Sequence, residues 1–80
     1  MDKEKKEFSV ILGRRLKSLR EKRHLTQAEL GALLGKDGQQ IGNWEQGRFA
    51  PSFYYIIKIA RALKVPLSDV YDISEGRGGG

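Results

Sequence analysis

The sequence predicts an all-helical domain of five helices. Apolar residues recur at intervals of three and four along most of the chain, and helix-capping signals separate these stretches. No run alternates apolar and polar residues for long enough to make a strand. Eighty residues hold one hydrophobic core and not two, and a chain with 39% apolar against 31% charged residues is too apolar to be wholly disordered. A domain over residues 8–73 is therefore expected, between a flexible charged tail at 1–7 and a disordered Gly-rich tail at 74–80.

In "FSVILGRRLKSLREKR", Phe8, Leu12, Leu16 and Leu19, with Ile11 beside them, define an amphipathic first helix whose other positions are largely basic. Thr26 opens "TQAE", a capping box with Glu29, so a second helix starts there, with Leu30, Leu33 and Leu34 as its buried stripe. Gly35 stands where a left-handed residue closes a helix. Asp37 then caps a short third helix, Gly38 to Gln46, on which Ile41 and Trp44 share one face. Beyond Gly47, "PS" supplies a turn and an N-cap at Ser52 for a fourth helix with a stripe at Phe53, Ile56, Ile57, Ala60 and Leu63. A short fifth helix, Leu67 to Asp72, buries Leu67 and Val70. The remaining expected core is completed by Val65.

The third helix is the unusual segment. "GKDGQQIGNWEQG" carries four glycines and little apolar surface between two aliphatic runs. Two helices joined tightly through Gly35 form a helix-turn-helix, whose second helix can enter a DNA major groove. Gln39, Gln40 and Asn43 have the chemistry for base edges, because an Asn or Gln amide pairs bidentately with adenine N6 and N7. Glycine inside a helix costs roughly 1 kcal/mol relative to alanine. Two readings of Gly38 and Gly42 follow: their bare backbone lies close to DNA, or they are tolerated surface glycines.

The rest of the chemistry narrows the function by exclusion. Without cysteine there is no disulfide or thiolate metal site, and His24, the single histidine, reads as a turn residue. Asp69 and Asp72 have no metal partner or activated nucleophile near them in the pattern, so no enzyme is expected, and neither a cofactor nor a small-molecule ligand is implied. No apolar run reaches the length of a membrane span and "MDKEKKE" lacks a signal-peptide core, which makes a cytoplasmic protein the expectation. The formal charge is +5, and all of the excess falls within residues 1–24. A basic end on a neutral body suits a polyanion, and equally a solvated helix face. Arg14, Arg15, Lys17 and Lys22 are expected to surround the first helix rather than form one patch. "GRGGG" resembles RNA-binding arginine-glycine segments only in a single copy.

Across residues 12–72, "LKSLREKRHLTQAELGALLG", Ile41, "WEQG", "PS" and "IARALKVPLSDVY" together resemble the helix-turn-helix domain of the phage repressor and Cro family, the xenobiotic-response-element (XRE) type. The resemblance implies a lambda-repressor-like fold and sequence-specific binding of double-stranded DNA. It places Gln39, Gln40 and Asn43 at base-reading positions and Arg48 at a phosphate contact. It implies that Gln27 touches phosphate and braces the first reading side chain, and that Arg20 and Glu45 form a structural ion pair. Lys36 replaces an apolar turn residue, which leaves it able to snorkel its charge toward phosphate. Gly38 replaces a polar residue that often reads a base, and Pro66 occupies the usual cap of the fifth helix. Trp44 is expected in the core rather than on a base, while Tyr54 or Tyr55 could face a phosphate or a partner subunit.

The function implied is a transcriptional regulator, most simply a repressor that binds an inverted-repeat operator as a homodimer, with Val70, Tyr71 and Ile73 as candidate dimer contacts. The alternative is a protein-interaction module, an antitoxin or adaptor whose main partner is another protein and whose DNA contact is secondary.

Overall fold

The computed structural model describes residues 3–72, in which the chain forms five helices and no strand. These are α1 (Lys3–Lys22), α2 (Gln27–Leu34), α3 (Gly38–Glu45), α4 (Phe53–Leu63) and α5 (Leu67–Tyr71). Three begin at the expected caps. Thr26 Oγ1 accepts from Glu29 N at 3.0 Å while Glu29 Oε1 accepts from Thr26 N at 2.8 Å, so the capping box is closed in both directions. Asp37 Oδ1 accepts from Gln40 N at 2.9 Å and Ser52 Oγ from Tyr55 N at 3.3 Å. Pro66 caps α5 with no side-chain bond.

The first helix starts earlier than apolar periodicity indicates, at Lys3, so residues 3–7 are helix and not tail. Lys and Glu are good helix formers, and an exposed helical turn needs no apolar stripe. Lys6 Nζ also donates to Gly47 O at 2.9 Å, which ties this turn to the far side of α3. Ile73 and the Gly-rich segment lie outside the described residues.

The core is drawn from every helix: Leu12, Leu16 and Leu19 of α1, Leu30 and Leu34 of α2, Ile41 and Trp44 of α3, and Val70 of α5 are all buried. On α4 the stripe keeps the expected Ile56, Ala60 and Leu63 but adds Ile59, leaving Phe53 63% exposed and Ile57 half-buried. "FYYIIKIARAL" is apolar nearly all round, so the 3.6-residue period fits both stripes and only the neighbours choose between them. Leu33 is exposed rather than buried, and Val65 packs at the rim of the core. On α1, Phe8 is 40% exposed, and Ser9 and Gly13, one turn apart, are buried instead. These small residues let α1 approach the end of α3 closely. A Cβ at Gly13 would overlap the Trp44 carbonyl oxygen and stand 2.6 Å from that of Glu45.

Candidate nucleic-acid interface

The turn between α2 and α3 is closed by backbone. Gly35 takes the left-handed conformation, φ 72°, and Lys36 N donates to Gly31 O at 2.8 Å, satisfying the carbonyls that α2 leaves free. From this turn α3 emerges with two distinct faces. Ile41, Gly42, Trp44 and Glu45 are buried, while Gln39 is exposed and Gln40 and Asn43 are half-buried. The three amides expected to read bases thus lie on the side of α3 away from its packing.

A side chain at either glycine of α3 would point toward α2. A Cβ at Gly38 would lie 3.0 Å from Ala28 N and 3.1 Å from Ala28 Cα, so residue 38 faces the start of α2. At Gly42 the nearest atom would be Gln27 Nε2 at 3.4 Å, an ordinary contact. Both face α2, so neither is a solvent-facing surface glycine. Since residue 42 has room, Gly42→Ala should raise the unfolding free energy by about 0.5 to 1 kcal/mol through helix propensity. A shift of the urea midpoint upward checks this; a fall would mean that Gln27 cannot yield.

Beneath the amides lies an ion-pair network that joins three helices. Arg20 Nε donates to Glu45 Oε2 at 2.6 Å and Arg20 Nη2 to Glu45 Oε1 at 3.1 Å, a bidentate fork. Gln27 Nε2 donates to the same Oε1 at 3.0 Å, and Arg20 Nη1 to Leu25 O at 2.7 Å. The Gln27 amide nitrogen is therefore directed at Glu45. Hydrogen bonding to Glu45 raises the Arg20 pKa, and burial only partly opposes it. A raised basic group stabilises the fold fully below arginine's ordinary pKa and loses that contribution only as pH rises through the higher folded value. The Arg20 contribution therefore persists through the neutral range. Among the described residues no buried side-chain nitrogen or oxygen lacks a partner.

On the other side of α3 an aromatic stack carries the turn. Trp44 meets Tyr55 with ring centroids 5.6 Å apart, and Tyr55 meets Tyr54 edge-on at 5.0 Å. Lys36 Nζ lies 4.7 Å from the Tyr55 centroid, a cation–π seat that holds its charge against α4. Lys58 lies over both tyrosines and reaches Leu34 O at 3.5 Å. Tyr55 and Lys58 were not singled out from the sequence as partners of the turn, since nothing in their spacing shows which residues α4 will meet.

Of the basic side chains expected to surround α1, Arg15 is used internally, as is Arg23 just past the helix. Arg15 Nε donates to Asp69 O at 2.6 Å, and Arg23 reaches Leu63 O at 2.6 Å and Lys64 O at 2.9 Å, capping the C-terminus of α4. Arg48, just past α3, is exposed, and its Nη1 donates to Asn43 Oδ1 at 3.0 Å. Val70 is 1% exposed within the core of its own chain and so offers no dimer contact, whereas Tyr71 beside it is 50% exposed. Among the described residues no helix is long and apolar enough to cross a membrane.

Comparison with known proteins agrees with this geometry. Residues 16–70 match the helix-turn-helix family. An uncharacterized HTH-type transcriptional regulator of Archaeoglobus fulgidus is 33% identical over 61 residues, covering 76% of this chain and 86% of its own. The crystal structure of the restriction-modification controller protein C.AhdI from Aeromonas hydrophila superposes with a TM-score of 0.77 at 32% identity, over 81% of this chain and 94% of that one. The clp gene regulator ClgR from C. glutamicum has the same fold, with a TM-score of 0.79 at 24% identity over 89% and 92% of the two chains. With five helices, a glycine-closed turn and a two-faced third helix matched over most of its length, the chain belongs to the XRE-type helix-turn-helix family of DNA-binding transcriptional regulators.

Proposed function

We propose that the chain acts as a repressor, binding an inverted-repeat operator as a homodimer and occluding a promoter. The observation that carries this reading is the placement of Gln39, Gln40 and Asn43 on the unpacked side of α3, with Ile41, Trp44 and Glu45 anchoring the other. In this reading the three amides meet base edges while Gln27, Lys36 and Arg48 contact phosphates around them. Phosphate contacts set register and base contacts set sequence. The Gln27 amide retains one hydrogen beyond its bond to Glu45, and Lys36 can leave Tyr55 for a phosphate, since cation–π contacts at exposed sites contribute only about 0.5 to 1 kcal/mol.

A dimer is favoured on size. An eight-residue helix is about 12 Å long and spans few base pairs, and two copies related by a two-fold axis meet half-sites about 34 Å apart. Exposed Tyr71 is the dimer contact available among the described candidates. The likeness to a restriction-modification controller supports a regulatory role.

Selection of bound duplexes from a random DNA library tests the reading, run beside a variant with Gln39, Gln40 and Asn43 all changed to alanine. An enriched inverted repeat that the variant fails to enrich is the expected result. Enrichment of a single half-site would argue against the dimer. No enrichment at moderate salt, with a stoichiometric protein partner recovered instead, would favour an antitoxin or adaptor.

A further inference from the structure

The backbone that ends α3 determines what Arg48 can do. Gly47 is left-handed, φ 76°, with Gly47 N donating to Trp44 O at 3.1 Å and Arg48 N to Asn43 O at 3.0 Å. This pair of bonds is a Schellman closure, which brings residue 48 back over residue 43. The closure is itself held from outside: Lys6 Nζ binds Gly47 O, and a Cβ at 47 would stand 2.8 Å from Val10 Cα. Residues 43 and 48 are therefore joined twice, by backbone and by the Arg48–Asn43 side-chain bond.

Only one amide orientation fits this arrangement. A guanidinium donates and never accepts, so the atom facing Arg48 is Oδ1, and Nδ2 with its two hydrogens takes the other branch of the Asn43 side chain. The positive charge beside Oδ1 opposes the approach of another donor, such as the N6 amino group of adenine, and polarises the amide so that Nδ2 donates more strongly. Asn43 held in this way is a donor. The major-groove edge of guanine offers two acceptors, N7 and O6, whereas bidentate pairing with adenine requires both amide atoms.

We propose that Arg48 is a positioning residue for base readout: by holding Oδ1 of Asn43 it commits that amide to donating, and so directs it to guanine rather than adenine. The inference rests on the reading of α3 as the helix that meets base edges. It makes the residue after the helix part of the sequence code, in addition to any bond its remaining donors make to phosphate.

The test is duplex selection with the intact chain and with R48A, N43A and the double variant, with affinities for the winning sites measured at several salt concentrations. The intact chain should prefer guanine at one position of each half-site. R48A should lose that preference by roughly fivefold or more, moving toward adenine, the scale of one bidentate contact. N43A should lose it at the same position, and the double variant should do no worse there than N43A. A uniform loss of affinity in R48A, with the guanine preference intact and the salt slope reduced by about one, would identify a phosphate contact only and overturn the proposal. An adenine preference in the intact chain would overturn it too. Failure of the intact chain to enrich any motif would sink the base-reading role of α3 and this inference with it.

Discussion

Glu45→Ala is expected to destabilise the domain by about 3 to 5 kcal/mol, measured as the unfolding free energy from urea denaturation followed by helical circular dichroism. The carboxylate accepts two bonds from Arg20 and one from Gln27, and its side chain is 2% exposed. Its removal strands a guanidinium inside the junction of α1, α2 and α3. The loss is a large share of the total for a chain of this size, at roughly 0.05 to 0.15 kcal/mol per residue. Arg20→Ala should cost a similar amount, because it strands the opposite charge. Removing both partners together should cost less than the sum of the two single losses, since neither charge is then left alone. A single-variant loss below about 1 kcal/mol would mean that water reaches the pair and screens it as it does on a surface.

Gly13→Ala is expected to be the most damaging one-carbon addition, with a loss of about 3 kcal/mol, the upper part of the range for overpacking. The added methyl would meet carbonyl oxygens of Trp44 and Glu45, which are backbone and cannot rotate away. The first helix would have to move off α3, loosening the Arg20–Glu45 fork as it went. Helix propensity pushes the other way, because alanine is favoured over glycine inside a helix by about 1 kcal/mol. A measured gain in stability would therefore show that α1 and α3 separate easily and that their close crossing contributes little. With the expected loss, DNA affinity should fall as well, since the anchor of α3 shifts with it.

These two sites differ in how far the sequence reveals them. Arg20 and Glu45 are 25 residues apart, and their pairing was implied by the resemblance alone, because charge and periodicity on either helix do not choose a partner on the other. Gly13 was passed over. A glycine within an amphipathic pattern resembles a defect until the crossing helix is seen, although Ser9 and Gly13 at a spacing of four offered a faint signal of close approach. Helix order and caps were legible because local bonds fix them: Thr26 with Glu29, Asp37 with Gln40, Ser52 with Tyr55. Which side of α4 turns inward was not, since its apolar residues nearly encircle it. The same limit applied to Gly38 and Gly42, which face α2.

The division of α3 into an anchored side and an unpacked one has a consequence for how such proteins diversify. Ile41, Trp44 and Glu45 hold the helix, while Gln39 is exposed and bears none of the core. Surface substitutions away from packing and caps usually change stability by less than about 0.5 kcal/mol. Variation at position 39, and in part at 40 and 43, is thus nearly independent of whether the chain folds; on the proposed reading of α3, a lineage would move to new operators in single steps without passing through unfolded intermediates.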